Sequence, residues 1–131
     1  MAVSPASVSA GQQHRTLAFT FTAAAGGTSG GSLSLTVPAG WSAPSVTNTA
    51  AGYVKSSAGS VTVTNRTITV SGITVSASHT VVITYGAKTF GGPGATAPPT
   101  AVGKQTWHAK AASTVAGTLT SLTTSPFVTV S

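Results

Sequence analysis

The strongest constraint on this chain is the alternation of apolar and hydroxyl side chains in its apolar segments. In TLAFTFTA, Leu17, Phe19 and Phe21 fall on one face, and Thr20 and Thr22 fall on the other. Successive side chains of a β-strand point to opposite faces, so a period of two predicts a strand with one buried face. No segment carries apolar residues at helical spacing over three turns, and we predict no significant helix.

Six further segments repeat this pattern. Asn65 and Arg66 separate two of the strands, and because Asn tolerates a positive φ, this pair predicts a tight two-residue hairpin turn. In KQTWHAKA the alternation turns Trp107 inward. The remaining predicted strands lie in SLSLTVPA (32–39), SVTVT (60–64), TITV (67–70), HTVVITYG (79–86), KQTWHAKA (104–111) and PFVTVS (126–131).

Glycine- and proline-rich segments divide these strands. The segment from Gly86 to Gly103 is too long for a simple turn, so it is either functional or a cover that packs across the domain. A length of 131 residues with 40% apolar composition fits one domain over residues 1–131. We predict an antiparallel β-sandwich of about seven to nine strands. Its expected core is Leu17, Phe19, Phe21, Leu33, Leu35, Val61, Val63, Ile68, Val70, Val81, Ile83 and Trp107.

The chain has no Asp or Glu, against six Lys and Arg and a net charge of +6. Paired carboxylates for glycoside hydrolysis, acidic magnesium ligands and calcium cages are therefore excluded. A Ser-His-Asp triad lacks its acid, cysteine is absent, and the three histidines lack the spacing of a zinc pair. We expect no enzyme, no catalytic residue, no cofactor and no metal. We also expect stability to low pH, because acid denaturation acts mainly by protonating carboxylates.

Several sequence segments taken together resemble a known family. The runs VPAGWSAP, AAGYV, RTITVSGITV, VVITYG, GGPGATAP and QTWHAKAAST are similar to tandem repeats of bacterial surface proteins, over Ala18 to Val130. The resemblance implies an immunoglobulin-like β-sandwich that acts as a non-enzymatic extracellular spacer or adhesin repeat, with neighbouring repeats as partners. The absence of acidic residues departs from that family and is consistent with an acidic habitat or with an engineered charge.

A binding role is the first alternative. Trp41, Tyr53 and Phe90 lie in turn-rich segments, where an aromatic ring either plugs one end of the sandwich or stacks on a sugar. In KQTWHAK the alternation places three basic side chains in one outward row, which suits non-specific polyanion binding better than specific nucleic-acid recognition. These residues, Lys104, His108 and Lys110, complete the candidate contacts for a glycan or other surface polymer.

The second alternative is a virion or filament subunit, in which SPFVTVS or AVSPASVSA pairs with the sheet edge of a neighbouring chain. The isolated domain is otherwise expected to be a monomer. No apolar run approaches the roughly 18 to 20 residues that span a bilayer, so we expect no membrane insertion. The N-terminal MAVSPASVSAG lacks a basic, apolar signal, and the resemblance places the domain outside the cell or at its surface, with the secretion signal outside this sequence.

Overall fold

The computed structural model describes residues 1–114, 117–122 and 124–131, and it describes Phe90 by its backbone only. Over these residues the chain forms thirteen β-strands and one 3-10 turn at Thr89–Gly91, which confirms the all-β prediction. The strand number exceeds the predicted one because several segments of two or three residues pair as separate strands. The strands are β1 (Ala2–Ser4), β2 (Ser7–Val8), β3 (Leu17–Thr22), β4 (Thr28–Thr36), β5 (Pro44–Ser45), β6 (Gly52–Ser56), β7 (Ser60–Thr64), β8 (Thr67–Val75), β9 (Thr80–Tyr85), β10 (Gly103–Thr106), β11 (Ala109–Ala112), β12 (Thr120–Ser121) and β13 (Phe127–Val130).

The first layer of the sandwich is a five-stranded sheet in the order β1-β3-β9-β6-β5. Its central strands β3 and β9 pair antiparallel from Leu17↔Tyr85 to Thr22↔Thr80. The inward side chains of both strands are apolar, and Phe19 and Ile83 are fully buried where the strands meet. The predicted alternation therefore sets the buried face of this layer.

The second layer consists of two sheets, β2-β13-β10 and β12-β11-β4-β8-β7. The prediction of one strand over KQTWHAKA is wrong, because Trp107 and His108 separate β10 from β11. Hydrogen bonds continue across this step: the Trp107 N–H donates to the Pro126 carbonyl at 2.9 Å, and the Thr36 N–H donates to the His108 carbonyl at 3.0 Å. The ladder breaks here because Pro126 has no N–H to donate in return.

One apolar core lies between the layers and contains residues of both. Nine of the twelve predicted core residues are buried, whereas Phe21, Val61 and Val63 are only half-buried. Val61 and Val63 lie on β7, the edge strand of its sheet, and Phe21 lines an open groove at the side of the sandwich. Edge positions are covered from fewer directions than central ones, which explains the difference. The arrangement is a β-sandwich, compatible with an immunoglobulin-like domain.

The hairpin predicted at Asn65 and Arg66 is confirmed. β7 and β8 pair in unbroken register from Ser60↔Ser71 to Thr64↔Thr67, and Asn65 has a φ of 54°. A two-residue turn of this kind needs a residue that accepts the left-handed region, and Asn does so at little steric cost.

The long segment 86–103 is a cover that packs across one end of the sandwich. Ala95 and Ala97 are buried, and Ala95 exchanges two backbone hydrogen bonds with Arg15, at 2.8 and 2.9 Å. The segment leaves β9 at Gly86, which has a φ of 71° and on which a Cβ would clash with the Arg15 carbonyl oxygen. Of the two readings of this segment, the structure supports the cover.

The two chain ends lie at opposite ends of the sandwich. β1 begins where Ala2 pairs with Thr20, and β2 continues in the same direction to Val8, which pairs in parallel with Val130. The Ser131 N–H donates to the Val8 carbonyl at 3.0 Å. The ends are therefore separated by the β1–β2 segment, roughly 25 Å at about 3.3 Å per residue.

Candidate functional site

Trp41 is buried and is not available to a ligand. Its side chain is 3% exposed, and its Nε1–H donates to Gln105 Oε1 at 2.6 Å. Its ring stands edge-on to Trp107, with 5.4 Å between centroids. Trp41 is thus a core residue at one end of the sandwich, and its candidacy as a sugar-stacking ring is corrected by this burial.

The aromatic cluster around Trp107 is structural. Trp107 contacts Phe19 at 4.8 Å and Tyr85 at 5.1 Å between ring centroids, and it is fully buried with its Nε1–H unpaired among the described residues. The Tyr85 hydroxyl donates to the Ser42 carbonyl at 2.5 Å. Burial raises the pKa of Tyr85 well above its ordinary value, against the opposing effect of the Arg66 charge. Tyr85 therefore serves as a neutral donor, and nothing in this cluster faces solvent.

Arg66 is the cation with the clearest structural role. Its Nε–H donates to the Val37 carbonyl at 3.2 Å, and one terminal nitrogen donates to the Pro38 and Trp41 carbonyls at 2.7 and 2.6 Å. Since the chain has no side-chain carboxylate, the guanidinium binds backbone oxygens of the turn that carries Trp41. Arg66 is therefore engaged within the fold rather than offered to a partner.

Trp41 is buried and therefore does not share a ligand site with Tyr53. Tyr53 lies on β6 and is half-buried, with its carbonyl accepting the Ala87 N–H at 2.9 Å. The Phe90 side chain lies outside the described part of the structure, and its backbone belongs to the 3-10 turn of the cover. Of these three aromatic candidates, only Tyr53 presents described surface.

The basic row is exposed, and an aromatic side chain joins it. Lys104, His108 and Lys110 are all exposed, while Trp107 between them is buried. The alternation of exposed and buried side chains therefore continues across the break between β10 and β11. The Lys104 ammonium lies 4.2 Å from the ring centroid of Phe127, a cation–π contact. Phe127 is 41% exposed.

We call the surface around this contact the Phe127 platform: Lys104 and Thr106 of β10, Phe127 and Thr129 of β13, and Ser7 of β2. Thr129 pairs with Lys104 on one side and with Ser7 on the other, and Phe127 pairs with Thr106. Val128 and Val130, which alternate with Phe127 and Thr129, are buried. The platform thus combines an exposed ring, a cation and hydroxyl groups on one sheet face.

The sequence analysis missed Phe127, although the signal was present. In PFVTVS the two valines lie on one face of the predicted strand, and Phe127 and Thr129 lie on the other. With the valines facing the core, Phe127 must face solvent. Its neighbour Lys104 could not be inferred in this way, because pairing of β10 with β13 is a long-range feature.

An open groove of about 660 Å³ lies between the two layers. Phe21, Met1 and Leu122 are its large apolar lining residues, and several threonines also line it. None of its described lining residues has a charged side chain.

The described residues hold no cluster of three metal-ligating side chains, and none of their helices is long and apolar enough to cross a membrane. No protein-family model matches the chain, and no curated protein matches it either. The resemblance to bacterial surface repeats therefore depends only on the sequence segments quoted above.

Proposed function

We propose that this domain is a non-enzymatic structural module, an extracellular spacer or adhesin repeat of a bacterial surface protein. The observation that carries the proposal is the placement of the chain ends at opposite ends of the sandwich. A domain of this kind extends a chain by its own length whenever copies are joined end to end.

Rigidity of the ends supports the proposal. β1 is paired with β3, and β13 has a strand on each side, so both terminal segments belong to the sheets. The cover segment is held to the body by Ala97 N–H donating to Gln12 O at 2.9 Å and by Thr96 N–H donating to Ser42 Oγ at 2.9 Å. Backbone hydrogen bonds therefore hold both terminal segments in the sheets.

The test is the length of tandem chains in solution. Chains of one, two and four directly joined copies are measured by small-angle X-ray scattering, with four copies joined by Gly/Ser linkers as the matched control. We expect the maximum dimension of the direct fusions to grow by a constant step of roughly 25 Å per copy, the separation of the two chain ends. A four-copy direct fusion as compact and variable as the flexible control contradicts the spacer proposal.

A second candidate function is binding of a surface polymer, favoured by the Phe127 platform. An exposed ring can stack on the apolar face of a sugar, and Lys104 can bind an anionic substituent on it. Trp41→Ala is unsuitable as a test because truncating a buried Trp costs about 3 to 5 kcal/mol of stability. Phe127→Ala and Lys104→Ala remove exposed groups instead.

Binding to glycan and polyanion arrays at two salt concentrations tests this candidate, with Val46→Ala as control because Val46 is also exposed, at 56%, but not on the platform. Saturable binding that survives high salt and is lost in Phe127→Ala supports a glycan module. Binding that disappears with salt in every variant alike is the non-specific attraction of a chain with a charge of +6.

Assembly through the terminal strands is the least favoured reading. Ala2–Ser4 pairs with β3, Ser7–Val8 with β13, and Phe127–Val130 with both β2 and β10. Donation of either terminal segment to a neighbouring chain would first require breaking these internal pairs.

A further inference from the structure

We infer that β7 is a self-association edge, through which two copies of the domain join their second layers into one continuous sheet. β7 ends its sheet, and no described strand pairs with its outer side. An exposed strand edge offers unpaired N–H and C=O groups, which are a template for another strand. The partner to which the geometry points is a second copy of the same chain.

β7 lacks the protection that the other edge strands have. Five residues long, SVTVT contains no charge and no proline, and its register with β8 is free of bulges. Among the other edges, β2, β5 and β12 are two residues long, β1 is followed directly by Pro5, and β10 carries Lys104. Short length, proline and lysine are the usual means by which proteins block edge pairing.

The alternation of hydrogen-bonded and non-hydrogen-bonded residue pairs shows which backbone groups of β7 point outward. The Val37 N–H donates to the Arg66 carbonyl, so the Thr36↔Thr67 pair is of the non-hydrogen-bonded type and the backbone groups of Thr67 point toward β7. Thr64↔Thr67 is then a hydrogen-bonded pair, and the type alternates along the hairpin. The N–H and C=O groups of Val61 and Val63 therefore point away from β8, into solvent.

The outward N–H and C=O groups of Val61 and Val63 make the β7 edge self-complementary. In an antiparallel, two-fold pairing centred on Thr62, Val61 of one copy faces Val63 of the other, and each such pair exchanges two backbone hydrogen bonds. Thr62 then faces Thr62 of the second copy as a closely spaced pair. The half-buried Val61 and Val63 side chains gain cover from the added strand.

The net positive charge of each copy weakens this association and makes it depend on salt. β7 itself is uncharged, and the adjacent Arg66 is bound to backbone carbonyls of its own chain. Each copy nevertheless carries a net charge of +6. Salt screens the repulsion between the copies, so association through β7 strengthens with ionic strength, which is opposite to the behaviour of polyanion binding.

The test is sedimentation equilibrium from about 10 µM to about 1 mM, combined with residue-resolved amide exchange. Thr62→Lys places two like charges face to face at the two-fold axis, and Thr100→Lys adds the same charge at an exposed loop position outside β7. We expect Thr62→Lys to weaken dimerisation at least about tenfold more than Thr100→Lys does. In the parent, the amides of Val61 and Val63 gain protection as concentration rises, while that of Thr62 is already protected.

Three results overturn the proposal: no self-association of the parent at about 1 mM, equal association of the two lysine variants, or association without added protection at Val61 and Val63. Both substitutions lie on exposed positions, so thermal unfolding of each variant is expected to match the parent and separates misfolding from loss of the interface. Binding of an extended peptide to β7 without dimerisation also counts against a second copy as the partner.

Discussion

Replacing Arg66 tests whether one cation can organise an end of the sandwich without any acidic partner. Its guanidinium donates three hydrogen bonds to the carbonyls of Val37, Pro38 and Trp41, at 3.2, 2.7 and 2.6 Å. The turn that these bonds hold places the Trp41 ring against Trp107. Arg66→Met keeps most of the side-chain volume and removes all three donors.

A hydrogen bond to a charged group contributes about 1.5 to 3 kcal/mol. The three bonds share one guanidinium, and Ala39 and Gly40 in the same turn are exposed, so water can reach part of the freed carbonyls. We therefore expect Arg66→Met to lower the free energy of unfolding by about 3 kcal/mol rather than by the sum of three bonds. Arg66→Lys retains a single point donor and should lose about 2 kcal/mol.

Urea unfolding followed by tryptophan fluorescence measures both changes, because Trp41 and Trp107 report on the affected end of the core. Lys110→Met is the matched control: it removes one exposed positive charge and should lie within about 0.5 kcal/mol of the parent. The midpoint should fall with little change in the slope. If Arg66→Met and Lys110→Met unfold at the same urea concentration, the three bonds are not stabilising and the reasoning is refuted.

Three further predictions follow from the same contacts. Burial raises the pKa of Tyr85 above its ordinary 10.0, so the unfolded chain ionises first as the pH rises. The free energy of unfolding is therefore unaffected by Tyr85 below about pH 10 and falls above it. Urea midpoints measured from about pH 9 to 12 should decline less in Tyr85→Phe than in the parent, and parallel declines would contradict this assignment. With no Asp or Glu and with His14, His79 and His108 all exposed, the melting temperature should change little between about pH 6 and 3, and a collapse in that range would disprove the argument. A double-mutant cycle of Trp41→Phe and Gln105→Met should give a coupling of about 1 kcal/mol for their 2.6 Å hydrogen bond, and a coupling near zero would show that the bond contributes nothing.

The candidate site shows where sequence reasoning succeeds and where it stops. Exposure of Lys104, His108 and Lys110 follows directly from the alternation that buries Trp107. The turn-rich segment around Trp41 makes this residue a candidate ligand contact, but such a segment can also fold back over the core. Its burial depends on Arg66 and Gln105, which are distant in sequence.

The local part of the structure could be predicted from the residues alone: the strands, the face that each presents to the core, and the turn at Asn65. These follow from side-chain period and backbone conformation, which neighbouring residues decide. Which strands are neighbours depends on tertiary packing. The same packing brings Phe127 to Lys104, sets the chain ends apart and leaves β7 with no outer partner among the described strands. A period of two specifies a face but not the strand beside it, because pairing is chosen by long-range packing and loop closure.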